Sequence, residues 1–342
     1  VVVCFDFGTL MTVNPFDIVL LLALPASGKS EIRRYLASLP ADVALDDFGF
    51  LPTVQIDDYP YVHVMRRISQ EARRLGRRTA FFEADDAPFD DTRDWGTLTV
   101  LVDEDFRVLR ERRVVDDPAS WLLDRLDHAR ATVGAPMLFD DRSELLESAI
   151  AGDAAEVVAG LPNPVEGPHT VVIEFARGGP EGASMPLPAP TGYRYSLSLL
   201  SPDILARAVI LYVWVTAEES RRKNRERAQP GADGSILHHG VPEVVMRTEY
   251  GVDDMAWLLE TSEVPGTVSV EAHGRTYRIP TARFDNRVDH TSFLRADPEC
   301  WSRRDVDVLH GQLIDVFGSL RERMNSSTWS GTGPSPTGDP AT

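Results

Sequence analysis

The residues best equipped for chemistry stand in one run, Ala23-Leu24-Pro25-Ala26-Ser27-Gly28-Lys29-Ser30. Small residues let successive backbone N–H groups turn inward, and a helix starting behind them adds partial positive charge, which together make a cradle for phosphate oxygens. Pro25, Ala26, Ser27, Gly28, Lys29 and Ser30 would line that cradle, with Lys29 reaching the β- and γ-phosphates and the Ser30 hydroxyl ligating Mg²⁺. The spacing is that of G-x-x-x-x-G-K-[ST], with Ala23 where the pattern has its first glycine and Gly28, the phosphate-contacting one, in place. Such a loop needs a strand before it and a helix after it. The apolar run Ile18-Val19-Leu20-Leu21-Leu22 leads in, and Glu31-Ile32-Arg33-Arg34-Tyr35-Leu36 follows with helical spacing. Those flanks argue against a chance Gly-Lys-Ser at an ordinary helix start.

In open α/β sheets ligands collect beyond the carboxyl ends of the strands, so acidic strand ends are informative. Glu174 ends Val171-Val172-Ile173 and is placed to contact Mg²⁺ or orient a metal-bound water. Asp46-Asp47 closes an expected second strand, Val43-Ala44-Leu45, and Asp47 is a candidate to accept the proton of an acceptor hydroxyl. Asp57-Asp58, in Ile56-Asp57-Asp58-Tyr59-Pro60, competes for that role or caps the following helix, with Asp58 a candidate substrate contact. Asp85-Asp86 reads as a turn and cap before Pro88.

Two stretches supply cationic partners. Five basic residues fall within the seven positions 221–227, and Arg221, Arg222 and Arg225 are candidates to close over a transferring phosphoryl group. The alternative is a solvated helix whose arginines pair with Glu218 and Glu219. The Gly- and Pro-rich stretch 177–194 is long for a plain connection, and its Arg177 and Arg194 are candidate anion contacts for an acceptor.

Positioning these residues takes strands expected at 18–22, 43–45, 78–82, 169–175 and 209–215, interleaved with helices from Lys29 to about Leu39 and over 61–75, 197–207 and 216–228. Residues 94–161 carry only helical periodicity, in 95–112, 119–131 and 143–159, and read as a helical insertion. Met255 to Leu259 sits in a further helix, 267–270 and 275–279 form a hairpin about His273-Gly274, and 304–324 is an amphipathic helix. The fold class expected is three-layer α/β/α with a mostly parallel sheet. The expected organisation is an N-terminal extension over 1–16, one domain over 17–325 with its insertion at about 94–161, and a disordered tail over 326–342.

Composition narrows the partners. The chain has 342 residues and a net charge of −18, a field that repels nucleic-acid backbones and anionic lipid surfaces while leaving room for a local basic cleft. Cys4 and Cys300, the two cysteines, make neither a disulfide framework nor a zinc spacing. With no basic segment before the apolar start and no stretch long enough to span a bilayer, a soluble cytoplasmic protein is expected. Asp6-Phe7-Gly8 is similar to the start of haloacid-dehalogenase-like phosphatases but has Gly8 where that chemistry needs a second acid. His238-His239 lacks a third ligand at metal spacing, and neither Gly-x-Ser-x-Gly nor His-Glu-x-x-His occurs.

The phosphate loop, Asp46-Asp47-Phe48, the carboxylate at Glu174 and the arginine-rich segment together resemble the P-loop kinases of nucleosides, nucleotides and other small metabolites, within the P-loop NTPase superfamily. In uridine-kinase-like members Asp-Asp-Phe stands at a matching place and supplies the acceptor-facing acid, which implies that role for Asp47 or Asp46. Their arginine lid is similar to Arg221, Arg222 and Arg225. The resemblance covers about residues 17–227, and 231–324 matches nothing we can name. It implies ATP- and Mg²⁺-dependent transfer of the γ-phosphoryl group to a hydroxyl of a small metabolite or nucleoside-like acceptor. A nucleotide-binding ATPase or switch without an acceptor is the alternative, and an end-kinase acting on nucleic acid would need a basic groove that the acidity opposes.

Overall fold

Ile18–Leu22, five apolar residues buried on both faces, forms β1. The computed structural model describes residues 14–110, 114–139, 143–227 and 240–325, and all that follows concerns these. After β1 come α1 (Lys29–Ser38), α2 (Ala41–Phe48), β2 (Thr53–Asp57) and α3 (Tyr59–Arg74), then α4 (Asp94–Arg107), α5 (Pro118–Thr132) and α6 (Glu144–Gly160). The chain returns to the sheet with β3 (Thr170–Phe175), passes through α7 (Gly192–Ser198) and α8 (Pro202–Arg207), and adds β4 (Ala208–Trp214). It continues with α9 (Ala217–Arg227), α10 (Glu243–Thr248), α11 (Met255–Thr261), β5 (Thr267–Ala272), β6 (Arg275–Asp285) and α12 (Arg303–Met324). The protein is thus α/β, with a six-stranded sheet in the order β2-β3-β1-β4-β6-β5. Only β5 runs antiparallel, as the outer arm of a hairpin whose long partner β6 crosses over to pair in parallel with β4.

The sheet's two faces follow from residue alternation along the strands. Val19, Leu21, Val172, Val209 and Leu211 face one way and are covered by Ile32 and Tyr35 of α1, Phe48 of α2, and Leu309, Leu313 and Phe317 of α12. Ile18, Leu20, Leu22, Ile173 and Ile210 face the other way, under Val102 and Phe106 of α4, Tyr193 and Leu197 of α7, Ile204 of α8 and Met255 of α11. The stretch read as a helical insertion therefore contributes to the main layer. α4 lies on the sheet with one side and turns Leu98 and Leu101 to an outer cluster made by α3, α5 and α6. Buried charges in this outer layer are paired: Arg125 with Asp105 at 2.8 Å and with the Tyr61 hydroxyl at 2.6 Å, and Arg130 with Asp94.

Three local expectations are corrected. Residues 43–45 are helical, inside α2, because Pro40 opens that helix and Gly49, at φ 77°, closes it. Asp46 and Asp47 therefore lie in a helix's last turn and not at a strand end. Residues 78–82 join no strand ladder; the Phe81 and Phe82 amides donate instead to Ser69 Oγ at 3.2 and 3.3 Å. The second strand is β2, whose two apolar residues, Val54 and Ile56, alternate with exposed Thr53 and Gln55 as an edge strand should. Residues 197–207, expected as one helix, break into α7 and α8 where Pro202 starts the second. Among the described residues no helix is long and apolar enough to cross a membrane.

Candidate active site

Between β1 and α1 the chain turns through two left-handed residues, Ala26 at φ 54° and Gly28 at φ 107°. Side chains take up the loop's carbonyls, Lys29 from the loop's own end and Tyr193, Ser220 and Asn286 from distant segments. Ala23 O accepts from Lys29 Nζ at 3.1 Å and from the Tyr193 hydroxyl at 2.9 Å. Leu24 O accepts from Lys29 Nζ at 3.2 Å, Pro25 O from Ser220 Oγ at 2.7 Å and Ser27 O from Asn286 Nδ2 at 2.6 Å. With the carbonyls tied from behind, the amides of residues 27–31 find no acceptor among the described residues. These are the donors that a helix start leaves open, and here they share one concave surface. Gly28 is required twice over. Its φ is one that side-chain-bearing residues avoid, and a Cβ there would run into Thr291 Oγ1 and come within 2.7 Å of Asn286 Nδ2, both on fully buried residues.

The loop sits where the connections of the sheet diverge. The chain leaves β1 toward β2 on one side and later leaves β3 for β4 on the other, which opens a crevice at the carboxyl ends of β1 and β3. Two carboxylates meet at this edge. Asp57, the last residue of β2, pairs in register with Glu174, the last but one of β3, and Arg33 NH1 on α1 approaches both, at 3.3 and 2.9 Å. Ser30 Oγ donates to Glu174 Oε1 at 3.2 Å, while Glu174 Oε2, though beside Arg33, receives no aligned hydrogen bond. Burial, with the charges of Glu174 and Asp58 added and that of Arg33 opposing, pushes the Asp57 carboxyl up to about 7. Burial also draws the Lys29 ammonium below its ordinary value, against the pull of Glu174 and with a push from Arg227. A hydroxyl and a carboxylate side by side are hard oxygen ligands that suit Mg²⁺, which takes one or two protein groups and fills its shell with phosphate oxygens and water.

From this edge the cleft extends under α9 and α10 to an apolar end. Its far wall comes from Val62 and Arg66 of α3, Phe82 and Phe89, Trp95 of α4, Val245 of α10, and Glu249 and Tyr250 just beyond it. Burial pushes Glu249 up to about 7, against hydrogen bonds from Trp95 and the Phe89 amide and the nearby charge of Arg66.

The candidate residues divide. Pro25 through Ser30, Asp58 and Glu174 all line the cleft, and Asp57 lies there with them. Arg177 is fully buried behind it, donating to Asp58, to Ser196 Oγ at 3.1 Å and to Thr99 Oγ1 at 3.0 Å, so its donors are committed to the protein. Arg194 lies in a separate groove with Tyr195 and Trp257. Asp47 faces α12, where its carboxylate meets His310 Nε2 at 3.1 Å, and Arg321 holds the Asp46 and Asp47 carbonyls. It does not line the cleft, and the second-strand misreading is the reason.

The arginine helix also turns differently. Arg221 pairs with Glu181 at 3.2 Å, Arg222 with Glu219 at 2.6 Å and with Glu226, and Arg225 with Glu243 at 3.4 Å. Ser220, Lys223 and Asn224 form the inward face, and Arg227, one turn on from Lys223, reaches the cleft. Arg227 Nε is buried with no hydrogen-bond partner among the described residues, and burial lowers its pKa. The helical period was the available signal: small polar Ser220 and Asn224 mark which side of an otherwise charged helix packs inward. Compared with known proteins, the chain matches no family model and no curated protein.

Proposed function

We propose that the protein is a cytoplasmic, Mg²⁺-dependent P-loop phosphotransferase that moves the γ-phosphoryl group of ATP to a hydroxyl of a small acceptor. The observation that carries this reading is the loop after β1. Its carbonyls are held from behind, its amides are open, and Lys29, Asp57 and Glu174 share the cleft that those amides face.

In this reading the amides of residues 27–31 and Lys29 hold the β- and γ-phosphate oxygens without reorganising during transfer. Mg²⁺, held by Ser30 Oγ and Glu174, would supply charge neutralisation on the same oxygens. Asp57 takes the role first considered for Asp47. As the acceptor oxygen bonds to the γ-phosphorus, the bond from that phosphorus to the β–γ bridging oxygen breaks, its electron pair leaves with ADP, and the acceptor's proton passes to Asp57. Arg227 is the cation on the lid side, in place of Arg221, Arg222 and Arg225, and its unpartnered Nε supports a role toward the transferring group. The long apolar extension of the cleft favours transfer to an acceptor over hydrolysis alone.

The test incubates the protein with ATP, Mg²⁺ and a metabolite extract while ADP, free phosphate and mass shifts are followed. ADP formed in step with a phosphorylated compound supports the reading. ADP matched only by free phosphate would replace it with an ATPase or switch.

A further inference from the structure

Beyond the strand-end carboxylates the cleft opens into a chamber that phosphoryl transfer itself does not require. Trp95 meets Phe89 edge-on with centroids 4.9 Å apart and Tyr250 at 5.3 Å, so the three rings pack as one wall. Set into that wall is Glu249, 7% exposed. Its Oε1 accepts from Trp95 Nε1 at 3.2 Å and from the Phe89 amide at 3.3 Å, and Oε2 has no hydrogen-bond partner among the described residues. With Oε1 taken up by the protein and Oε2 not among the enclosed atoms, Oε2 is the oxygen that a residue lining the cleft leaves for a ligand's donor.

Among the described residues, the cation lining this end of the cleft is Arg66, and it already has partners. The Arg66 guanidinium lies 4.0 Å over the Phe82 ring and donates to Asp85 O at 2.7 Å and Ala87 O at 3.2 Å. A phosphate or carboxylate entering here would meet the carboxyl groups of Asp57, Asp58 and Glu249.

Resting on the phosphotransferase reading, we propose that the acceptor is an alcohol built on a flat aromatic ring with an N–H donor. The ring lies against Phe89, Trp95 and Tyr250, the N–H bonds to Glu249 Oε2, and the hydroxyl arm reaches back toward Asp57. Aromatic walls favour offset or edge-on rings, and the carboxyl oxygen selects among them by demanding a donor at one edge.

Calorimetric titration of the full chain at pH 8, above the value of about 7 to which burial raises Glu249, so that the carboxylate is ionised and Oε2 only accepts, tests this with indole-3-ethanol, uridine, their N-methylated counterparts 1-methylindole-3-ethanol and 3-methyluridine, glycerol and glycerol 3-phosphate. Each is run with and without Mg²⁺ and a non-hydrolysable ATP analogue. At least one N–H ring compound should bind, about tenfold or more tighter than its N-methyl counterpart, while the glycerol compounds give no binding. Glu249→Gln turns the free acceptor into an amide donor at unchanged shape, so it should erase or invert the preference for N–H over N-methyl. The wild-type comparison needs no variant and stands even where the substitution impairs folding. Equal binding of N–H and N-methyl rings, no ring binding, or a best fit for glycerol 3-phosphate overturns the inference. Failure of the ATP analogue to bind overturns the phosphotransferase reading instead, and the nucleotide-free titrations still judge the chamber.

Discussion

At one end of the cleft the chain presents its backbone, and at the other its side chains. The loop after β1, the nest of the proposed reading, comes from one contiguous stretch, with Asn286, Ser220 and Tyr193 holding three of its carbonyls. The ring chamber has no contiguous core; Val62, Phe89, Trp95 and Glu249 come from separate segments and meet only in the folded state. A backbone site recognises what every ligand of a class shares, whereas a side-chain site recognises what distinguishes one ligand from another. Substitutions in the nest should therefore lower the rate for every acceptor, and substitutions in the chamber should change which acceptor is used.

The largest effect belongs to Lys29→Ala, which removes a buried charge beside the open amides. ATP-dependent turnover should fall by roughly 10³-fold with any acceptor, as for loss of a preorganised charge contact, while circular dichroism stays native. Retained activity would break the division between the two ends. Next comes the junction, where Asp57→Asn should lower kcat by roughly 10²–10³-fold. Asp47→Asn should leave kcat within about twofold and cost less than about 1 kcal/mol in a urea melt, since a half-exposed pair with His310 is worth little. The reverse order would return the base role to the helix α2.

Smaller again is the arginine contrast. Arg227→Ala should cost kcat roughly ten- to a hundredfold, through lost neutralisation of the transferring charge, whereas Arg222→Ala, which breaks pairs with Glu219 and Glu226, should cost about twofold or less. Steady-state rates at saturating ATP separate the two.

A last effect is on stability and lies at the chamber end. Folding raises Glu249 from its ordinary 4.5 to about 7, by burial and against the nearby charge of Arg66. Between those values the folded state binds more protons than the unfolded one, so stability declines as pH rises through that window and levels off above it. Glu249→Gln lacks this penalty. It should melt higher than the parent at pH 8, by on the order of 1–3 kcal/mol, and show no such gain at pH 5. Thermal melts at the two pH values measure this, and an equal difference at both would mean that the carboxyl is not held neutral by burial.

How much of this the sequence revealed follows the same division. The strand β1, the turn after it and the helix α1 were legible because one stretch of chain holds all three together, and the place of Glu174 in β3 was legible because an apolar run leads to it. The sheet was legible wherever strands are apolar on both faces, as in β1, β3 and β4. β2 escaped because an edge strand with two inward residues gives a weak alternation, and Val43-Ala44-Leu45 stood in for it although Pro40 and Gly49 frame a helix. That one exchange set Asp47, on the helix α2, at a strand end where the structure has Asp57. On α9 the charges were plain but their direction was not; reading Ser220 and Asn224 as the packed side would have led to Arg227. Glu249 carried no local signal at all, since its neighbours Phe89 and Trp95 lie some 150 positions away and nothing in the spacing announces the meeting.

The hydrogen bond from Asn286 to the Ser27 carbonyl joins positions 259 residues apart. A ribosome thus releases the nest long before it synthesises the strand whose end gives the nest its shape. A chain stopped short of β6 would carry every letter of the motif without this hydrogen bond, so the loop near the start of the described chain gains its full support only after most of the sheet has been made.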